Sequence, residues 1–153
     1  VSAILPPALR TRRLLLTPYT PGHEDGFVAL FEDARVSRWM GDGPARRGGL
    51  LVRHAEIKRT DQVDGHEIIY ALAPEVWGGG LGTEPAEALV AYGFEALGLT
   101  EVHATVDARN EASPRLLGRL GFAHVRDVEE DDGGLTRVLT CRNPARGAAR
   151  GRQ

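Results

Sequence analysis

The sequence predicts an α+β domain: helices flanking a mixed, mostly antiparallel sheet that contains one parallel strand pair. Three observations carry this expectation. Residues 67–72 and 101–106 read as strands separated by a glycine run and one helix, and a strand–helix–strand unit of that length pairs its strands in parallel. Residues 51–72 and 122–141 each hold two apolar runs around a polar turn, the pattern of an antiparallel hairpin. Between these, apolar residues recur at i, i+3 and i+4, the spacing of a helix with one buried face.

Residues 1–8 carry Pro6-Pro7 and read as an N-terminal arm. Leu14-Leu15-Leu16 makes a first strand, ended by Thr17-Pro18. Thr20 suits an N-cap and Pro21 the first position of a helix on which Phe27, Leu30 and Phe31 share a face. Val36, Trp39 and Met40 continue into a second short helix. Gly41-Asp42-Gly43-Pro44 and Gly48-Gly49 bracket a loop-like stretch. Residues 51–57 read as a strand, 60–65 as a turn closed by Gly65, and 67–72 as the next strand. The following helix presents Leu81, Ala88, Leu89, Tyr92 and Ala96 along one side and stops at Gly98. Pro85 lacks a backbone donor, so this helix is expected to start near Thr83, with the proline in its first turn.

Residues 101–106 alternate as a strand. Ser113 is placed as the next N-cap, Pro114 at the first helical position, Leu116, Leu117 and Leu120 inward, and Gly121 as the stop. A final hairpin runs through 122–128 and 135–141 around the turn 129–134. The expected domain is therefore 9–141, and residues 142–153, with four arginines, read as a disordered tail.

A length of 153 residues allows one domain with a real core, and 42% apolar with 26% charged residues is a soluble, globular balance. A net charge of −2 gives no global attraction for nucleic acid or an anionic membrane. A single cysteine, Cys141, excludes an internal disulfide framework and fits a reducing compartment. No apolar run approaches the ~18 residues of a membrane span, and the N-terminus has no secretory pattern. The expected location is cytoplasmic.

The stretch most informative about chemistry is Trp77-Gly78-Gly79-Gly80-Leu81-Gly82-Thr83. Glycines expose backbone N–H groups, and a helix N-terminus favours negative charge, so a loop of this kind suits a pyrophosphate. The dinucleotide fingerprint G-x-G-x-x-G fails, because the sixth position is Thr83 counted from Gly78 and Pro85 counted from Gly80. A P-loop fails for want of a lysine after the last glycine.

Residues 77–82 resemble the acyl-CoA signature [QR]-x-x-G-x-[GA] of the GNAT superfamily of N-acetyltransferases. Asn110-Glu111-Ala112-Ser113 with Leu120-Gly121-Phe122 resembles the N-x-A-S…L-G-F signature, and Thr11 to Leu16 resembles the T-x-R-L-x-L opening strand. In this order the motifs are similar to the branch that acetylates N-termini of ribosomal proteins, with its many small-molecule relatives. The resemblance implies the layered α/β/α acyl-CoA N-acyltransferase fold, with the parallel pair splayed apart. It also implies acetyl-CoA as cosubstrate, no metal, an amine acceptor, and a homodimer as one assembly open to the chain. Relatives usually place a further helix and strand where this chain passes directly from Arg47 to Leu51. A reduced acceptor side and a segment absent from the sequence both fit that departure.

The resemblance assigns cofactor contacts to Trp77, Gly78, Gly79, Gly80, Leu81, Gly82 and Thr83 at the pyrophosphate. It assigns Tyr70, Ala71 and Leu72 to backbone pairing with pantetheine, and Asn110 to a hydrogen bond with the same arm. Asn110 equally suits a helix cap or turn. Trp77 stands where much of the superfamily has Gln or Arg, leaving the cradle to main chain. An N–H near Ala71 or Leu72 would polarise the thioester carbonyl, a donor worth about 2.7–4 kcal/mol in a transition state.

The attacking amine must be neutral, which is easier for an α-amine (pKa about 8) than for a lysine (about 10.4). Glu67 is the first choice of base, against the alternative of an exposed strand carboxylate, with His103 and His54 as rivals. Ser113 could protonate the departing thiolate, or serve only as a cap. The position of a family tyrosine acid is held by Leu117. The second functional class is a non-catalytic acyl-CoA-binding or regulatory domain on the same scaffold.

Overall fold

The computed structural model describes residues 8–17, 20–38, 53–60, 62–72 and 81–147. Its contacts divide into two compact units, one of residues 1–55 with 70–88 and one of residues 56–69 with 89–153.

In the first unit, β1 (Leu9–Arg10) and β2 (Leu15–Leu16) pair antiparallel, Leu9 opposite Leu16 and Arg10 opposite Leu15. The expected first strand is thus the second arm of a small hairpin. Thr11 closes it: its N–H donates to Leu14 O at 2.9 Å, and its hydroxyl accepts from Leu14 N–H at 2.9 Å. Pro21 opens a 3-10 turn (Pro21–His23) that runs into α1 (Glu24–Glu32), consistent with a fixed φ and no need for a donor. Asp33 caps α2 (Ala34–Ser37) by accepting from Arg35 N–H at 2.9 Å. The core residues here are Leu14, Val28, Leu30 and Val36. Val28 was not expected among them; the side chains of Phe27 and Phe31, and residues Trp39 and Met40, lie outside the described set.

The second unit is built on a five-stranded sheet of order β3-β4-β5-β7-β6. Its strands are β3 (Arg53–Arg59), β4 (His66–Leu72), β5 (Glu101–Asp107), β6 (Ala123–Glu129) and β7 (Leu135–Arg142). β4 and β5 run parallel, with Glu67 opposite His103. β5 pairs antiparallel with β7 from Glu101↔Arg142 to Asp107↔Thr136, and β6 pairs antiparallel with β7, with an irregularity between His124 and Arg126. The mixed sheet with one parallel pair is the expected class.

Strand alternation sorts the two faces. Val102↔Cys141 and Ala104↔Leu139 are buried apolar pairs on one face. The other face carries His103↔Thr140 and Thr105↔Val138.

The helix α3 (Thr83–Glu95) starts at the expected residue, with Pro85 fully buried in its first turn. Its buried stripe is Pro85, Ala86, Leu89, Val90 and Gly93, rotated from the expected one; Ala96 is exposed, and Leu81, Ala88 and Tyr92 are half-buried. Gly93 explains the rotation. A Cβ there would lie 3.0 Å from Ile57 Cδ1 and 3.1 Å from Val102 Cγ2, so the glycine is the contact point with the sheet. Gly98, at φ +64, ends the helix turn, and Leu99 N–H reaches back to Gly93 O at 2.9 Å.

The helix α4 (Ala112–Arg119) buries Leu117 completely and stops at Gly121 as expected. Its cap differs. Ser113 lies inside the helix, and the side chain of Asn110 does the capping. The tail expected from residue 142 is ordered further: Arg142 closes β7, Asn143 is buried, and α5 (Pro144–Gly147) follows. Asn143 donates from Nδ2 to Leu99 O at 3.1 Å and from N–H to Thr100 O at 2.8 Å, which pins the chain there.

Candidate active site

In the first unit, the described part of the expected cofactor site is the entry to α3. Leu81 and a buried Gly82 form the turn, and Thr83 is the first helical residue. Trp77, Gly78, Gly79 and Gly80 lie outside the described residues, as do the side chains of Ala71 and Leu72. The backbone of Ala71 and Leu72 ends β4 behind a half-buried Tyr70.

Glu84 ties the helix entry to the β1–β2 hairpin. Its Oε2 accepts from Thr11 Oγ1 at 2.5 Å and from Arg13 N–H at 3.1 Å, and Oε1 accepts from Arg13 Nε. The Thr11 hydroxyl first, and then the Arg13 guanidinium, hold its carboxyl at about 2. A carboxylate in the first turn also complements the helix dipole.

In the second unit, the polar face of the sheet carries Glu67 and His103. Glu67 is only 3% exposed, so it is a buried carboxylate and the exposed alternative falls. Its Oε2 accepts from Thr60 Oγ1 at 2.7 Å, and its Oε1 accepts from Thr105 Oγ1. A buried charge needs such donors, since desolvation without them is costly. Opposite it on β5, His103 is 8% exposed and pairs through Nδ1 with Thr140 Oγ1 at 2.8 Å.

The other ring nitrogen of His103, Nε2, has no hydrogen-bond partner among the described residues; the nearest acid oxygen is Glu101 Oε1 at 3.6 Å. An orphaned buried polar atom typically costs about 1–3 kcal/mol. His103 is therefore not a surface histidine, and among the described residues its ring is satisfied at one nitrogen. Gly65, at φ +146, faces this ring: a Cβ there would lie 3.0 Å from Nε2. Thr60, Thr105, Thr140 and Gly65 were not assigned to the site from sequence. Alternation in β5 already sets Glu101, His103 and Thr105 on one face, but Thr60 and Thr140 join only through register.

Asn110 Oδ1 accepts from the N–H groups of Ala112 and Ser113, both at 3.2 Å, so the structure brings these two predicted residues together as a helix cap. Ahead of them, Asp107 accepts from Arg109 N–H at 2.8 Å and from its guanidinium Nη2 at 2.6 Å, and that guanidinium holds the Asp107 carboxyl at about 2. The side chain of His54 lies outside the described residues. Among the described residues no cluster of three His, Cys, Asp or Glu side chains could hold a metal ion.

A family model described as an acetyltransferase (GNAT) domain matches residues 48–123, which include Glu67, α3, β5 and Asn110. The chain carries a GNAT acetyltransferase domain. It is 39% identical over 101 residues to the uncharacterised N-acetyltransferase YoaA of Bacillus subtilis strain 168, covering 63% of this chain and 54% of that protein. To the uncharacterised N-acetyltransferase p20 of Bacillus licheniformis it is 29% identical over 140 residues, covering 84% of this chain and 76% of that one. The solved ribosomal-protein-S5-alanine acetyltransferase of Vibrio fischeri superposes with a TM-score of 0.54 at 19% identity, over 61% of this chain and 55% of that one. At that identity the likeness is one of fold. The ribosomal-protein enzyme is one of several GNAT structures that share it. The GNAT chain described here spans 54% of the length of YoaA.

Proposed function

We propose that this GNAT domain transfers the acetyl group of acetyl-CoA directly to a primary amine within a ternary complex. The observation that carries the reading is the parallel β4–β5 pair, with a buried carboxylate at Glu67 and a helix entering at Thr83 straight after the glycine run. In this reading the main-chain N–H groups from Gly78 to Thr83 hold the pyrophosphate at the positive end of α3. The backbone of Tyr70, Ala71 and Leu72 pairs with pantetheine, and one N–H there receives the developing oxyanion. Asn110 contributes through its Nδ2, since its Oδ1 is committed to the α4 cap.

Glu67 removes the amine proton, and the neutral amine then attacks the thioester carbonyl. Ser113 sits in the first turn of α4 and is assigned to the departing thiolate. Direct transfer is supported by Cys141, the single thiol. It is buried, donates to Leu120 O at 3.5 Å, and burial pushes it up from the ordinary thiol range. A thiol kept protonated is a poor acyl acceptor.

The acceptor class is a protein N-terminus or a small-molecule amine, and the setting is the cytoplasm, where a lone cysteine stays reduced. Among the described residues no helix is long and apolar enough to cross a membrane. The test is incubation with acetyl-CoA and a panel of N-terminal peptides, polyamines and aminoglycosides, following release of free CoA thiol. Turnover on one acceptor class is expected.

A rival reading, a domain that binds acyl-CoA without turnover, draws on both Glu67 oxygens already being engaged by threonines. Calorimetric CoA binding with no thiol release on any acceptor would favour it. Absence of any CoA binding would remove both readings.

A further inference from the structure

We propose that the β3–β4 turn is a strap, latched by Arg126 over the face that carries Glu67 and His103, and that the acceptor amine reaches Glu67 when this strap lifts. The proposal rests on the transferase reading above and adds to it the step that admits the acceptor. Glu67 is 3% exposed, so a base at this position needs an opening before an amine can touch it. The turn supplies contacts that close it in. Thr60, at the head of the turn, donates to Glu67 Oε2 at 2.7 Å. Gly65, at its foot, lies against the His103 ring. Val63 between them is buried, so the turn lies down on the protein.

Arg126 holds it there. Its guanidinium Nη2 donates to Gln62 O at 3.0 Å. Arg126 belongs to the far edge strand, with β7 and β5 between it and β4. Three strand spacings are about 14 Å, more than one side chain spans, so the turn reaches out over the sheet to be met. Arg126 stands opposite Val138, and Val138 opposite Thr105, so all three share the face of His103. A regular strand would not put Arg126 there. Ala123 pairs with Thr140 on this face and His124 with Leu139 on the other, so strict alternation would return Val125 to this face and turn Arg126 away. The irregularity between His124 and Arg126 makes Val125 the extra residue, and Arg126 takes the place opposite Val138. Val125 is left 60% exposed.

The latch is one hydrogen bond from an exposed side chain, which is the kind of tie that local fluctuation breaks. The turn's other tie, Arg59 to Asp64 at 4.0 Å, is exposed at both ends and joins the turn to its own hairpin, not to the face. Lifting the turn takes Thr60 away from Oε2. That frees one carboxylate oxygen for the amine, while Thr105 keeps Oε1. Both threonines engaged then describes the closed state of the site.

The experiment compares the intact parent chain with Arg126→Met. Carbodiimide with glycine ethyl ester labels carboxylates that solvent reaches, and mass spectrometry reads each site. Glu67 is expected to label at least threefold faster in Arg126→Met, with Glu101, 40% exposed, labelling equally in both. Acceptor KM is measured on whichever N-terminal peptide, polyamine or aminoglycoside the parent acetylates. It is expected to fall by a similar factor, because only the open form takes acceptor, with the acetyl-CoA Kd unchanged by calorimetry. Asp64→Asn, in the same turn but away from the latch, is expected to leave labelling and KM at the parent values. Should Arg126→Met fold poorly, Arg126→Gln, too short to reach Gln62 O, replaces it with the same expectation.

Equal Glu67 labelling in parent and variant overturns the strap and leaves the transferase reading intact. Asp64→Asn speeding the labelling as much as Arg126→Met overturns Arg126 as the latch. Faster labelling with an unmoved acceptor KM overturns the gating of the acceptor. A parent chain that binds CoA but acetylates nothing overturns the transferase reading and the gating together.

Discussion

At the scale of the residue, the polar face of the sheet is a set of mutually dependent positions. Gly65 combines a φ of +146 with a Cβ direction that ends 3.0 Å from the His103 ring. Gly65→Ala therefore meets backbone strain and a collision together. It is expected to lower stability by about 1–3 kcal/mol in urea denaturation. Leu117, fully buried, gives the apolar counterpart: Leu117→Ala is expected to cost about 2–5 kcal/mol by the same measurement. Acid sensitivity belongs to Glu84 and Asp107, each held at about 2 by its partners. Their folded values lie below the ordinary carboxylate range of about 4. They therefore favour the fold above that range, and the contribution is lost as pH falls from about 4.5 towards 2. Glu84→Gln is expected to flatten this part of the curve of denaturation midpoint against pH. Both carboxylates sit near the surface, so solvent keeps the effect small.

At the scale of the element, the helices separate what composition dictates from what packing decides. The start of α3 at Thr83 follows from Pro85 alone, because a proline deeper in the helix would break a backbone bond. Which face of α3 goes inward does not follow from its own apolar residues. The helix turns so that Gly93, with no side chain, meets Ile57 and Val102, and the apolar stripe rotates with it. Gly93→Ala tests this: the better helix former is expected to destabilise by about 1–3 kcal/mol through overpacking, larger than its propensity gain of about 1. For α4 the motif N-x-A-S was legible, but two capping side chains were available and the sequence ranked the wrong one first. Asn110 lies outside the first turn and reaches the N–H groups of Ala112 and Ser113, whereas Ser113 is already helical. Asn110→Ala is expected to cost about 0.5–2 kcal/mol in stability, whatever it does to CoA affinity.

At the scale of the molecule, local pattern revealed the strands and the parallel pairing, because the β4–α3–β5 connection leaves no other geometry. The order β3-β4-β5-β7-β6 was not legible, since placing β7 between β5 and β6 depends on long-range register. The same gap hid the polar set around Glu67. Glu67 and His103 were both singled out as bases, but only pairing shows that they are opposite one another and which threonines each one meets. A ligand that binds only the folded chain stabilises it by mass action, so acetyl-CoA at a hundredfold excess over its Kd is expected to add about 2.7 kcal/mol. Thermal denaturation with and without acetyl-CoA measures this, and an unmoved midpoint would count against the cofactor site as a whole.

The seclusion of Cys141 has a practical corollary. A sulfhydryl reagent added to the native chain finds nothing to label until β7 parts from Leu120. Modification of this one sulfur then clocks the opening of the sheet, and in an assay of the proposed transfer any thiol signal from the folded chain would belong to released coenzyme alone.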